Sequence, residues 1–400
     1  MNIVKLSYKN IIAKPLQTFL TVLILSLSIG LLLGVKQLNK VFESQLQQSL
    51  NGVDMVVGAK GSPLQLVLST VLHIDNPTGN IPYNEAKKIA ENKYIEDAIP
   101  ISIGDNYKGY KIVGTTAGFV NLHKTNIETG TMFRTTYEVV IGNAVSENLG
   151  LSIGDTFSSS HGMIENAVES HDEHPLKVVG VLKPTQNVID RLILVNLESI
   201  WHLHEHEDEN NNPDHNHDNE DITALLLKFK NKRGLLFLPR NINENTPFQA
   251  AIPKYQLDKL FKSTAIGTKA ITWIALSILF VSGISVFVSL YRMVKERAKE
   301  LALIRTFGAT RNKLILLVFS EGLLVGVFSF FLGVLLATIS LQIIFSLIKD
   351  TYKQQIYLLE YHNDILELLL FIFGIIIIAT LIAIRPIFKM DISKIISHES

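Results

Sequence analysis

Eight of the twelve histidines lie between His161 and His217, and most of them stand in three close groups. His171 and His174 form an H-x-x-H pair. His202, His204 and His206 form an H-x-H-x-H triplet, and His215 and His217 an H-x-H pair. Imidazole nitrogen suits zinc, copper and nickel. Alternate residues of an extended chain point the same way, so His202, His204 and His206 can converge on one ion. Residues 202–221 also carry eight acids, which raise the local cation concentration. The chain has no cysteine, so such a site is built from histidine and carboxylate, a set suited to an exchangeable ion. The expected ion is zinc. Adventitious metal binding, a histidine pH switch and plain solubility are the other readings this composition allows. With almost nothing apolar to bury, residues 202–221 are expected to form a mobile loop.

A second concentration of charge runs from Arg292 to Lys313 (RMVKERAKELALIRTFGATRNK). Arg292, Lys295, Glu296 and Lys299 are spaced as one charged helical face, with Val294, Ala298, Leu301 and Ile304 near the opposite one. Gly308 suits the left-handed residue that ends a helix, and Thr310 suits the cap of the next. The spacing predicts a short amphipathic helix, either a solvated connector or a lever that docks a partner. Beyond it, Glu321 is the one acid inside a long apolar run, roughly 12 Å past Lys313 at 1.5 Å per residue. It can snorkel or pair with a loop arginine at the interface, or act in coupling or gating. A polar transport path normally shows several such ionisable residues. No nucleotide-binding G-x-x-x-x-G-K-[ST], H-E-x-x-H or G-x-S-x-G motif occurs, so no catalytic machinery is expected and an ATP-driven role would need a motor on another chain.

The elements that position these groups are dictated by hydropathy. The chain has 400 residues, 37 basic and 37 acidic, with a mean hydropathy of +0.26. Zero net charge gives no electrostatic footprint for nucleic acid. Uncharged runs cover Pro15–Val35, Ala270–Tyr291, Gly322–Ile348 and Leu368–Ile384. A helix needs about 20 apolar residues to cross a bilayer, so four spans are expected at 15–35, 270–291, 314–348 and 365–384. The first is too long for a signal-peptide core and is read as an uncleaved anchor. Basic residues concentrate in segments 1–14, 292–313 and 385–400, which are therefore expected in the cytoplasm. Residues 36–269 and the acidic loop 349–364 are then outside.

The 36–269 insert is large enough for its own core. Gln37–Leu50 can prolong the first span as a helix. Strands are expected at Val53–Val57, Ala98–Ile103, Tyr110–Thr115, Glu138–Ile141, Lys177–Leu182, Arg191–Val195 and Ala224–Phe229. Helices are expected from Pro63 to Leu72 and from an Asn84 cap to Asn92. The fold class is a membrane protein with four transmembrane helices and a large α+β extracytoplasmic domain between the first and second.

The string ERAKELALIRTFGATRNKLILLVFSEGLLVG resembles the core signature of the MacB/FtsX permease family, also seen in lipoprotein-release permeases. IGNAVSENLGLSIGDTF and LKVVGVLKPTQNVIDRLILVN resemble that family's periplasmic core. The order of one span, a large domain and three spans is the family's architecture, with 270–390 as its FtsX-like part. The resemblance implies a non-catalytic inner-membrane subunit that binds a separate ABC ATPase and pairs with a second permease subunit, as a homo- or heterodimer. ATP-driven closure would be transmitted to the external domain and act on a periplasmic protein or lipoprotein, without solute passing through a channel. Glu296, Glu300, Arg305, Gly308, Ala309, Thr310 and Glu321 match the family's loop and third-span motif. The chain departs from MacB in having no fused ATPase domain and in its histidine-rich segment. DMVVGAKGSPLQLVLSTVLHIDNPTGNIP further resembles a subgroup associated with zinc-responsive gene clusters. The other functions left open are an FtsX-like regulator of a cell-wall hydrolase and a transmembrane metal sensor.

Overall fold

The structure, a computed structural model, describes residues 3–50, 52–161, 175–202, 220–352 and 362–385. The first helices are α1 (Ile3–Ala13), α2 (Pro15–Ser49), α3 (Pro63–Thr70), α4 (Tyr83–Ala90), α5 (Gly118–Leu122) and α6 (Asn143–Leu149). A helix α7 follows, described over residues 197–202. Then come α8 (Gly234–Asn245), α9 (Pro253–Glu296), α10 (Ala298–Thr306), α11 (Arg311–Tyr352) and α12 (His362–Ala383). The chain forms two compact units, one of Met1–Lys40, Ala265–Ile344 and Leu358–Ser400, the other of Val41–Thr264 and Phe345–Tyr357.

In the first unit, α2, α9, α11 and α12 are long and apolar enough to cross a membrane. They occupy the order expected, one before the inserted domain and three after it. Each buries one stripe and leaves the rest of its apolar surface outward. On α9, Leu279, Val286, Leu290 and Val294 are buried, while Trp273, Phe280 and Val281 are exposed. In lipid there is no hydrophobic drive between helices, so close packing and small residues hold the bundle. A Cβ on Gly326 of α11 would stand 2.0 Å from Ile376 Cδ1 of α12. One on Gly333 would stand 2.8 Å from Ile29 of α2. Ser28 and Ser282 join α2 to α9 through their hydroxyls at 2.6 Å.

Two helices are much longer than a span requires. α2 has 35 residues and α9 has 44. The Gln- and Leu-rich stretch after Val35 continues α2. The helix of the second span starts at Pro253, well before Ala270, because Pro253 suits a first helical turn and no further proline interrupts it.

The inserted unit is built on an eleven-stranded mixed sheet. Its strands are β1 (Met55–Ala59), β3 (Ile95–Tyr107), β4 (Tyr110–Thr115), β5 (Ile127–Gly130), β6 (Glu138–Ile141), β7 (Thr156–Phe157), β8 (Ser160–His161), β9 (Leu176–Leu182), β10 (Ile193–Asn196), β12 (Ala224–Phe229) and β13 (Phe248–Ala251). Strands β2 (Ile81–Pro82) and β11 (Asp221–Ile222) pair separately. The main order is β13-β1-β12-β3-β4-β10-β6-β9-β5, with β10 parallel to β4 and β6 parallel to β9. Alternation separates two faces. Val56, Leu226, Val113, Leu194 and Val140 share one core cluster. Their neighbours Val57, Leu225 and Leu227 fill a second, and Ile112, Ile193 and Val139 a third.

Strand β1 lies two residues beyond the expected Val53–Val57. It runs through Gly58, whose missing side chain admits Leu66 of α3; a Cβ there would meet Leu66 Cδ1 at 2.6 Å. Strand β3 exceeds Ala98–Ile103 because long-range pairing with β12 and β4, not local pattern, sets its length. β5 and β13 are short and lack a clear apolar run. Asn84 is not a cap: α4 starts at Tyr83 with Pro82 before it. Ser62 does cap α3, accepting from the Gln65 N–H at 3.4 Å.

Candidate coupling site

The 292–313 stretch is not one amphipathic helix. Helix α9 carries Arg292, Lys295 and Glu296 to its end, and Arg297 leaves helical geometry with φ −98° and ψ 16°. Lys299 belongs to the next helix, α10, so the charged face expected from spacing is divided between two elements. α10 stops as its glycine dictates. Gly308 has φ +92°, its N–H donates to Arg305 O at 3.1 Å, and the Ala309 N–H donates to Ile304 O at 3.2 Å. Those two bonds and the left-handed residue make a Schellman end. Thr310 then precedes α11, and its carbonyl accepts from the Lys313 N–H at 3.0 Å. Leu301, Ala302 and Leu314 are buried inward. Leu303 and Phe307, one turn apart, point out at 51% and 89% exposure, and Glu300, Gly308 and Thr310 are also exposed.

The anchor of this turn is a polar node. Arg297 Nε donates to Glu300 Oε2 at 2.7 Å, and its Nη1 stands 3.6 Å from Glu321 Oε1. Glu321 is 1% exposed and also accepts from Asn10 Nδ2 of α1. Ser7, one turn before Asn10, pairs its hydroxyl with Ser320 and donates to Leu317 O at 3.4 Å. Lys14 pairs with Glu296 at the end of α9. Thus α1, α10 and α11 meet at one buried carboxylate, with the end of α9 fixed beside them. Arg297 is the loop arginine that reaches Glu321. Sequence reasoning expected a loop arginine without singling out Arg297, and missed Ser7 and Asn10. The available signal was the i, i+3 spacing of Ser7 and Asn10 in an otherwise apolar and basic helix.

Of the metal candidates, His202 ends the described part of α7 and is exposed. His171, His174, His204, His206, His215 and His217 lie outside the described residues. Among the described residues no three His, Asp or Glu side chains gather as a metal site. Two other histidines, unremarked in the sequence, are buried in the inserted unit. His73, 4% exposed with φ +52°, packs edge-on to Phe119, whose ring centre lies 4.7 Å from that of His123 at a tilt of 58°. Neither ring nitrogen of His73 has a hydrogen-bond partner, nor does His123 Nδ1. Cations pin the loop on both sides of His73: Arg191 Nη2 donates to Leu72 O at 2.5 Å and Lys111 Nζ to Asp75 O at 2.8 Å. Burial first, then the charges of Lys111 and Arg191 and the His123 ring, hold the His73 imidazole well below its ordinary range. Burial lowers His123 to about 4. Burial and Arg191 bring Lys111 down to about 8, against an opposing pull from Asp75.

Two family models match. Residues 18–232 match the MacB-like periplasmic core domain, more than half of the chain, and residues 273–392 match the FtsX-like permease C-terminal region. The chain belongs to the MacB/FtsX family of ABC transporter permeases. Permeases of this family work with a cytoplasmic ABC ATPase. Among solved structures, the chain is similar to the periplasmic region of MacB from Actinobacillus actinomycetemcomitans. That match has 12% identity and a TM-score of 0.34, and covers 55% of this chain and 97% of that one. It is also similar to the extracellular domain of the noncanonic ABC-type transporter YknZ from Gram-positive bacteria. There the identity is 12% and the TM-score 0.30, over 49% of this chain and 98% of that one. Curated proteins yield no match.

Proposed function

We propose that this chain is the permease subunit of a mechanotransmission complex in the bacterial inner membrane. Its termini and α10 face the cytoplasm, and its inserted domain faces outward. A separate ATPase docks on α10 and the turn that follows, and a second permease subunit completes the dimer. The observation that carries this reading is the Arg297–Glu321 node. It fixes an exposed, apolar-tipped element to two other helices, so that force applied at Leu303 and Phe307 moves the bundle instead of bending a loop. Glu300 and Arg297 hold the base, Gly308 and Ala309 close the turn, and Arg305 and Thr310 flank the docking face. No ATP chemistry is assigned to this chain. The moved domain acts on a periplasmic protein or lipoprotein.

The test uses the full chain with its ATPase partner in nanodiscs. Phe307→Asp is expected to abolish co-purification, because a charge enters an apolar contact. Arg297→Ala is expected to preserve co-purification and lower permease-dependent ATP turnover. An ATPase that binds and turns over alike with both variants rules the docking role out.

The histidine-rich segment is assigned exchangeable zinc binding on the spacing of His171, His174, His202, His204, His206, His215 and His217. Full-length protein is expected to bind Zn²⁺ more tightly than Mg²⁺ or Ca²⁺, which prefer oxygen. Joint replacement of His202, His204 and His206 by alanine is expected to remove most of that affinity in calorimetry. Unchanged affinity would exclude these three.

A further inference from the structure

A cavity of about 650 Å³ opens in the membrane unit, lined by residues of α2, α9 and α12. Its walls are of two kinds. Leu32, Leu276, Leu368 and Phe371 make an apolar body, and Lys36, Asn39 and Glu367 make a polar mouth. Lys36 and Glu367 pair there, with their side chains 41% and 73% exposed. The sequence sets the depth of each part. Lys36 is the first charge after the uncharged run Pro15–Val35, and Glu367 is the last charge before Leu368–Ile384. Both mark the same end of the hydrocarbon layer, where charged side chains reach for the headgroup region. The apolar body lies on the hydrocarbon side of them. A volume in the range of ligand sites, mostly apolar with a few placed polar groups, describes a pocket for an amphiphile.

We propose that this cavity binds a zwitterionic phospholipid, with an acyl chain against Leu32, Leu276 and Phe371 and the headgroup at the Lys36–Glu367 pair. The charge pattern selects this occupant. A phosphate complements Lys36 and an ammonium complements Glu367, so a phosphoethanolamine head satisfies both at once. A transmembrane helix from a second copy would set apolar side chains against the exposed Lys36–Glu367 pair and strip it of water, a cost that the pair's own attraction repays poorly. A purely anionic lipid leaves Glu367 facing its phosphate. The pocket involves neither α10 nor the Glu321 node, so this assignment stands apart from the docking of an ATPase.

The test places full-length protein in nanodiscs with phosphatidylethanolamine carrying a photoactivatable acyl chain. Labelling is read by peptide mass spectrometry around Leu276 and Phe371. Wild-type protein is expected to label there, and phosphatidylglycerol with the same chain is expected to label about fivefold less. Lys36→Glu is expected to lose labelling, and the exchange Lys36→Glu with Glu367→Lys to restore it, since a zwitterion can reverse over a reversed pair. Leu276→Trp is expected to remove labelling by filling the body. Should that variant misfold, the charge exchange still decides. Equal labelling in wild type and Lys36→Glu overturns the proposal, as does equal labelling by the two lipids. Disulfide-linked dimers of Phe371→Cys, formed with no lipid label in wild type, would assign the cavity to a second copy and overturn it too.

Discussion

Arg297 serves two carboxylates with one guanidinium, and its neighbours inherit the consequences. Replacing Glu321 by glutamine keeps an acceptor for Asn10 but removes the charge facing Arg297. Breaking a buried pair costs several kcal/mol, but Glu300 at 2.7 Å still compensates the arginine, so a loss of about 1–3 kcal/mol is expected. Thermal melting in detergent measures it, and Arg297→Ala combined with Glu321→Gln should cost less than the sum of the two. Gly308 makes a sharper case. Nothing lies within 4 Å of the place its Cβ would take, so backbone geometry alone penalises substitution. Gly308→Ala should cost about 1–2 kcal/mol and Gly308→Val at least as much, while Gly308→Asn should be tolerated better. The buried histidines give a pH dependence. Unfolded, His73 and His123 titrate near about 6.5; folded, both sit lower. The unfolded chain therefore binds more protons below that value. Stability is full above about 6.5 and falls as pH drops, the His123 contribution being lost by about 4 and His73 adding a fall in the same direction. Melting temperature against pH is the measurement. His123→Phe should flatten the curve between pH 6.5 and 5, and His73→Asn, which keeps a residue tolerant of positive φ, should flatten it further.

Continuity is the decisive property at the scale of elements. α9 runs unbroken from Pro253 to Glu296, about 66 Å at 1.5 Å per residue. Under the proposed function it transmits displacement from the coupling turn to the inserted domain. Gly267 lies in that helix with open space around it. Gly267→Ala should stiffen the helix, raising stability by up to about 1 kcal/mol, and should preserve coupling. Gly267→Pro should cost about 3 kcal/mol locally and uncouple ATP turnover from the domain's partner. ATP hydrolysis that depends on that partner equally in both variants would show that continuity is not needed. Elements also show where local pattern misleads. The charges from Arg292 to Lys299 fit a helical face by spacing, but Arg297 turns out of the helix toward Glu300 and Glu321, a contact between positions 24 residues apart. β3 grows to 13 residues because it has partners on both edges, which its own sequence does not announce.

For the whole molecule, orientation is the prediction with the widest reach. Reporters fused after Ser400 or placed at Thr310 should read as cytoplasmic, and one within Asn210–Pro213 as external. An external signal at Thr310 would invert the proposed docking face. Much of this architecture was legible in the chain. Four uncharged runs determine four spanning helices, since backbone polar groups in lipid must be satisfied within a helix. The glycine after Phe307 determines where α10 ends, because its left-handed geometry is a local property. The strands Tyr110–Thr115, Glu138–Ile141 and Ala224–Phe229 are written as short β-rich apolar runs between turn formers. What only the tertiary structure decided are contacts between distant positions. Asn10 meets Glu321, Lys36 meets Glu367, and Arg191 reaches the carbonyl beside His73. Hydropathy and periodicity report which side of an element is apolar, but not which polar groups share a buried site. That depends on how helices and strands from opposite ends of the chain pack.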